Sequence, residues 1–269
     1  MTAAPPRGAM SLPDIVSTAF GIVARNPGRF LILTLPSALL LCGTSALTTL
    51  ISERAGLSSV KDTLTAAQSQ AAVAILGISA VAGLVELVLS ELGVIPATLA
   101  ALLGRKPSVA ISFRTAIRNL KGGLLVFVAW AAVGLLVGSV VLLPLAIWIG
   151  IRWSFALHEM TTQQIGPRQA LRQSWVLVGG TWWRVFLIEL AIGFLASLPV
   201  VLAGRAVNST SSDALALAVV TLAYWIAAPF LAASITVLYA DVKLRKGERL
   251  QQIERRPVTV PNNDTEDEE

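Results

Sequence analysis

Five stretches of this sequence are long and apolar enough to cross a lipid bilayer as helices. They occupy residues 30–51, 71–103, 124–151, 182–203 and 214–240. A helix needs about 20 predominantly apolar residues to cross a hydrocarbon core of roughly 30 Å. Of the 269 residues in the chain, 14% are charged, against roughly 25% in an average soluble domain. We therefore predict an all-helical, polytopic membrane bundle that leaves almost no room for a soluble domain.

The positions of lysine and arginine indicate how often the chain crosses the membrane. These residues collect on the cytoplasmic side of short loops, and here they form four clusters, at residues 7–29, 105–121, 152–184 and 243–256. All four clusters face one compartment only if the third apolar run forms a hairpin, which would turn near residues 138–144 and return through a short arm at about 142–157. This arrangement predicts six spans, with only Arg54, Lys61 and Arg205 outside. The alternative is a single tilted helix over residues 124–151.

Three amphipathic segments precede membrane runs and suggest an internal repeat. The segments occupy residues 12–23, 109–120 and 168–178, and each has apolar residues on one helical face. Ser11 and Asp14 have the spacing of a helix-starting capping box, whereas the pairs Gly122-Gly123 and Gly179-Gly180 are typical helix stops. We therefore predict three repeats, each made of an interfacial amphipathic helix and a transmembrane hairpin.

Several motifs together resemble a known family. They are the segment RWSFAL at residues 152–157, Glu159, the segment from Gly166 to Arg184, and the segment LYADVKLRKGE at residues 238–248, with further support from residues 14–30. These residues resemble the membrane domain of bacterial glycerophosphoryl diester phosphodiesterases, over about residues 10–250. The resemblance implies a six-span bacterial membrane protein, which in this family is sometimes attached to a soluble phosphodiesterase domain. We expect a stand-alone member without that catalytic domain, because the sequence contains a single histidine, His158.

The charge pattern and the resemblance also give the expected domain limits and location. We predict a disordered tail at residues 1–10, a six-span transmembrane domain at 11–254 and an acidic disordered tail at 255–269. The protein is expected in the bacterial cytoplasmic (inner) membrane, as a multi-pass protein with both termini in the cytoplasm. No cofactor and no metal are expected.

Three acidic residues, Glu86, Glu91 and Glu189, fall inside apolar runs, where a charged group costs about 2.5–3.5 kcal/mol on insertion scales. Glu86 and Glu91 point roughly 140° apart on a helix, so these two do not form a paired site. One interpretation makes Glu86 or Glu189 a proton or cation site. The other makes the acids neutral, or structural partners of Arg152, of Arg184 or of the polar backbone at kinks.

His158 and Glu159 follow one another where the fourth predicted span reaches the cytoplasm. Histidine next to a carboxylate is a candidate pH-sensitive pair. At this position a pair that faces solvent or lipid headgroups is the simpler expectation.

The arginines Arg114, Arg118, Arg168 and Arg172 occupy the polar faces of the second and third amphipathic segments. Each cation near an anionic leaflet contributes about 1 kcal/mol, so we predict that these residues bind anionic lipid headgroups at the cytoplasmic face. The leading hypothesis is a non-catalytic, membrane-embedded accessory or lipid-interacting module, with the lipid bilayer and a membrane or cytoplasmic protein as partners and no nucleic acid. The alternative is a small transporter or lipid-handling permease. No nucleotide loop, metal cluster or nucleophile set supports an enzyme.

Overall fold

The computed structural model of the protein describes residues 10–57, 64–137, 142–207 and 213–248. Within these ranges the fold is all-helical, which confirms the predicted fold class. In chain order the helices are α1 (Leu12–Arg25), α2 (Pro27–Arg54), α3 (Ala66–Leu102), α4 (Val109–Val137), α5 (Leu143–Trp153), α6 (Ala156–Gln163), α7 (Pro167–Val178), α8 (Trp182–Val207) and α9 (Asp213–Arg245). The predicted tails lie outside the described residues, except for Met10.

Five helices, α2, α3, α4, α8 and α9, are long and apolar enough to cross a membrane. The chain reverses direction between α4 and α5. The reversal follows from a close approach of the two helices: a Cβ added at Gly150 of α5 would lie 3.8 Å from the ring of Trp130 of α4. In one continuous helix these positions would be about 30 Å apart. The single tilted helix is therefore wrong, although residues 138–141 of the turn predicted at 138–144 lie outside the described residues. With 11 residues, α5 is too short to span the bilayer alone, and a sixth crossing stays a prediction.

The first and third amphipathic segments form separate helices, as predicted. The backbone N–H and the hydroxyl of Ser11 both donate to Asp14 Oδ2, at 2.9 and 2.6 Å, and complete the start of α1. At the other site α7 ends at Gly179, and Gly180 takes a positive φ of 82°, which glycine adopts without steric cost. The helix signals at these two sites are local, which is why the sequence alone revealed them.

The second amphipathic segment is not a separate helix, because α4 continues through Gly122-Gly123 without a break. The predicted stop is wrong because these glycines serve helix packing. A Cβ added at Gly122 would lie 2.7 Å from Met160 Sδ, and one added at Gly123 would lie 2.9 Å from Val88 Cγ1. The missing side chains thus allow α4 to approach α6 and α3 closely. The threefold repeat stays a prediction, and its second unit differs from the other two.

The two ends of the described chain meet at one end of the bundle. The carboxylate of Asp241 is fully buried and accepts from the backbone N–H of Met10 at 2.7 Å. It also pairs with Arg184 at 2.8 Å and with Arg245 at 2.9 Å. The carbonyl of Met10 in turn accepts from both arginines. This cluster joins the entry to α1, the start of α8 and the end of α9.

Candidate functional site

A polar cleft of about 450 Å³ opens at that same end of the bundle, between α6, α7, the end of α9 and the residues that follow it. Its polar lining consists of three cations, three amides and two carboxylates, namely Arg172, Lys243, Lys246, Gln163, Gln169, Gln173, Glu159 and Glu248. Most of the surrounding core is apolar. The cleft therefore concentrates eight polar side chains around one cavity.

A buried ion pair forms the floor of the cleft. Lys243 Nζ lies 2.8 Å from Glu159 Oε1, and the two side chains are 5% and 1% exposed. Gln163 Nε2 donates to the other carboxylate oxygen at 2.6 Å, and Lys243 also reaches Glu248 at 3.1 Å. Burial raises the pKa of Glu159, and the contact with Lys243 opposes this increase. The satisfied pair gives the floor a fixed geometry, since removal of either partner would leave a buried charge alone.

His158 and Glu159 do not face solvent or headgroups, so that expectation is wrong. Both side chains are buried, because Lys243 and Thr236 of α9 supply partners that adjacent residues cannot. The Thr236 hydroxyl donates to the carbonyl of Ala232 at 2.8 Å. It therefore accepts from His158 Nε2, at 3.2 Å, which assigns the proton to Nε2. Burial lowers the pKa of His158 to about 3.

Lys246 and Arg172 form the rim of the cleft. Lys246 Nζ donates to the carbonyls of Val176 at 2.8 Å and Gly179 at 3.3 Å, where a cation complements the C-terminal end of α7. Burial, followed by repulsion from Lys243, lowers the pKa of Lys246. Arg172 is exposed and has no ion-pair partner among the described residues. Its guanidinium group is thus available to an anion that enters the cleft.

Arg152 lies beside the cleft and is held by aromatic rings. Its guanidinium carbon is 5.1 Å from the Trp148 ring centre and 5.0 Å from that of Trp175. Nη1 donates to the carbonyl of Trp175 at 3.1 Å, while Nε has no partner among the described residues. Arg152 therefore anchors α5 to α7, rather than pairing with an acid of the membrane spans.

The four arginines that we predicted to bind headgroups lie on two helices. Arg114 and Arg118 are exposed on the first half of α4, and Arg168 and Arg172 are exposed on α7. Of the four, only Arg172 lines the cleft, and headgroup binding by this set stays a prediction. Sequence reasoning missed Lys243 and Lys246 as cleft residues, although the segment at 238–248 that contains them was singled out for its resemblance.

The three membrane acids lie in two separate places. Glu86 is hydrogen-bonded to Tyr224 and lines a cavity of about 100 Å³ between α2 and α3, where hydroxyl-bearing side chains surround it. Glu91 and Glu189 instead line a second cavity, of about 150 Å³, together with Ser154. The structure thus brings together Glu91 and Glu189, a pair that lies far apart in the sequence. Arg184, the other arginine considered as a partner, pairs with Asp241.

Comparison with known families gives one match. The family model described as the membrane domain of glycerophosphoryl diester phosphodiesterase matches residues 127–264, which is about half of the chain. The match confirms the resemblance seen in the sequence and includes α5 to α9, and therefore every residue that lines the polar cleft. No curated protein matches the chain. No solved structure matches it either.

Proposed function

Since the chain belongs to the family of the membrane domain of glycerophosphoryl diester phosphodiesterase, we propose that this multi-pass membrane protein is a non-catalytic module that binds anionic lipid headgroups. The binding site is the polar cleft between α6, α7 and the end of α9. The observation that carries the proposal is the convergence of Arg172, Lys243 and Lys246 on this one cleft. We place the cleft at the cytoplasmic leaflet of the bacterial inner membrane, with both termini in the cytoplasm.

The chemistry of the cleft suits a phosphate group attached to a polar alcohol. Three cations and two carboxylates leave one net positive charge. Arg172 has a planar guanidinium group that can donate two parallel hydrogen bonds to a phosphate. Gln163 holds Glu159, whereas the amides of Gln169 and Gln173 are available as donors and acceptors for hydroxyl groups. A phosphoglycerol headgroup combines these two requirements.

The location of the basic residues supports the cytoplasmic leaflet. Anionic lipids attract clustered lysine and arginine with about 1 kcal/mol for each cation near the surface. The end of the bundle that holds the cleft also holds Arg184 and Arg245. His158, the one histidine of the chain, is buried in a structural hydrogen bond, which supports a non-catalytic role for this part of the molecule.

Measuring the lipid that co-purifies with two matched variants tests the proposal. Arg172→Gln removes the free guanidinium of the cleft, whereas Arg168→Gln removes an exposed arginine of the same helix that does not line the cleft. Native mass spectrometry of the full chain should show about tenfold less bound phosphatidylglycerol for Arg172→Gln, because one charge-assisted contact contributes about 1.5–3 kcal/mol. Arg168→Gln should resemble the parent. Equal retention by both variants would contradict a site in the cleft.

A broader form of the proposal involves all four predicted arginines. Replacing Arg114, Arg118, Arg168 and Arg172 with glutamine should weaken the binding of anionic vesicles in a manner that depends on salt, since exposed charges are screened. The fold should remain intact, because exposed charges contribute little to stability. Equal loss in the quadruple variant and in Arg172→Gln alone would assign the effect to the cleft.

A second candidate function, a small transporter or lipid-handling permease, is favoured by one observation. Acidic residues line two cavities among the candidate membrane helices, Glu86 in one and Glu91 with Glu189 in the other. Proton flux into liposomes that contain the purified protein, driven by an imposed potential, measures this activity. A permease should give a flux that Glu189→Gln abolishes, whereas a binding module should not differ from empty liposomes.

A further inference from the structure

The cavity that holds Glu91 and Glu189 is a small, largely apolar chamber within the bundle. Its volume is about 150 Å³, and side chains from α3, α4, α8 and α9 and from the junction of α5 and α6 line it. Three aromatic residues, Phe127, Trp130 and Trp153, contribute to the walls. The two carboxyl groups lie close enough for their charges to interact.

Three carboxyl oxygens in this chamber have no hydrogen-bond partner among the described residues. Glu91 is only 8% exposed, and its carboxyl group forms no hydrogen bond within the described ranges. Glu189 Oε1 is buried without a partner among the described residues, although Ser154 lines the same chamber. The Ser154 hydroxyl itself donates to the carbonyl of Ile151 at 3.1 Å. Buried polar groups in folded proteins are nearly always hydrogen-bonded, so Glu189 Oε1 needs a donor that the described residues do not supply.

We propose that Glu91 and Glu189 bind the ammonium group of a primary amine in this cavity. A primary ammonium has three N–H donors, which match the three free oxygens. Its alkyl part would contact Phe127, Trp130 and Trp153, and aromatic faces attract cations. One ammonium charge together with one retained proton neutralises both carboxylates, which removes the penalty for charge within the membrane.

An inorganic cation fits the cavity less well. Calcium takes six to eight oxygen ligands, and magnesium demands an octahedral set. Beyond the two glutamates and Ser154, the cavity offers aliphatic and aromatic walls. An ammonium needs no further oxygen, because its remaining substituent is carbon.

The amine can reach the cavity from the bilayer. Glu189, Trp130 and Trp153 are each partly exposed at the outer surface of the bundle, which is the surface that faces lipid in a membrane protein. Two sources share this chemistry: the ethanolamine headgroup of a phospholipid, and a free alkylamine. The site is separate from the anionic-headgroup cleft, because the two cavities have no lining residue in common.

Thermal denaturation of the purified full chain in detergent tests the site with a free amine. Propylammonium should raise the midpoint of the parent protein, whereas tetramethylammonium, which has no N–H donor, and sodium at equal ionic strength should not. The shift should disappear in Glu91→Gln and in Glu189→Gln. It should persist in Glu86→Gln, a membrane acid on the same helix as Glu91 that lines the other cavity. Because the parent alone distinguishes the three cations, the test does not depend on the folding of any variant.

Nanodiscs distinguish the two sources. Phosphatidylethanolamine should stabilise the parent more than phosphatidylcholine does, in a manner that requires Glu91, if the headgroup is the ligand. A response to propylammonium with no difference between the two lipids would assign the site to a free amine. Equal shifts from all three cations, or shifts that Glu91→Gln and Glu189→Gln retain, would overturn the proposal and leave a protonated structural pair.

Discussion

Acidification should destabilise the protein through His158, and glutamine at this position should remove the effect. The histidine is fully buried in α6, outside the five candidate spans, and is flanked by the rings of Phe155 and Tyr239 at 5.9 and 5.1 Å between centroids. Its Nε2 donates to Thr236, and its Nδ1 has no partner among the described residues. A proton added at Nδ1 would place an unpaired charge in an apolar environment.

The size of the effect follows from the pKa in the two states. Burial lowers the pKa in the folded protein to about 3, whereas an unfolded histidine titrates near 6.5. The unfolded state therefore binds the proton first, and stability present above about pH 6.5 is lost as the pH falls toward the folded pKa. Between pH 7 and pH 5.5 the loss is about 1.2 kcal/mol. A change of that size lowers the denaturation midpoint by roughly 2–5 °C in a chain of this size.

Thermal denaturation of the parent and His158→Gln at pH 7 and pH 5.5 gives the comparison. Glutamine can still donate to Thr236 but does not titrate, so the parent should lose about 1.2 kcal/mol more than the variant on acidification. Thr236→Val is the matched control, because it removes the hydrogen-bond partner and lowers stability at both pH values by about 1 kcal/mol while the histidine remains. Parallel pH dependence in the parent and His158→Gln would refute the assignment of His158 as a buried neutral residue.

Three further substitutions test the packing. Gly122→Leu should destabilise by about 1–3 kcal/mol in thermal denaturation, because the added side chain overlaps Met160, whereas Gly28→Ala, with open space around its Cβ, should change little. Asp241→Ala should cost about 3 kcal/mol by the same assay and make the chain at Met10 accessible to limited proteolysis, since two arginines and a backbone N–H lose their acceptor. Arg152→Lys should shift tryptophan fluorescence to longer wavelength and lower the midpoint, because an ammonium cannot replace the planar guanidinium that contacts both indoles; an unchanged spectrum would argue against this contact.

Local signals in the sequence predicted the parts of the fold that depend on neighbouring residues. The start of α1 at Ser11 and the end of α7 at Gly179 are set by residues within a few positions, and both appear as expected. Gly122-Gly123 has the same local appearance as a helix stop. Its actual role depends on Met160 and Val88, which are distant in sequence, so no local pattern could distinguish a stop from a packing site.

The candidate sites depend on distant contacts to a greater degree. From the sequence alone, Glu159 is expected at the surface, because the cation that neutralises it, Lys243, is on another helix. In the sequence, Glu91 and Glu189 are isolated acids, and only the fold brings these residues of α3 and α8 to one cavity. Hydropathy and charge therefore identify polar residues within apolar runs, whereas the partners of those residues require the packed bundle.

The contact between Met10 and Asp241 constrains how the protein can be made. A ribosome releases the chain from its first residue onward, so α1 to α8 are synthesised before α9 is complete. Yet α9 packs against α1, α2, α3 and α8 and supplies Asp241 and Lys243 to partners from the rest of the chain. During synthesis, Arg184 and Glu159 therefore lack their ion-pair partners Asp241 and Lys243 until α9 is complete. A nascent chain that stops before Asp241 should consequently be a substrate for membrane quality-control proteases rather than a smaller stable protein.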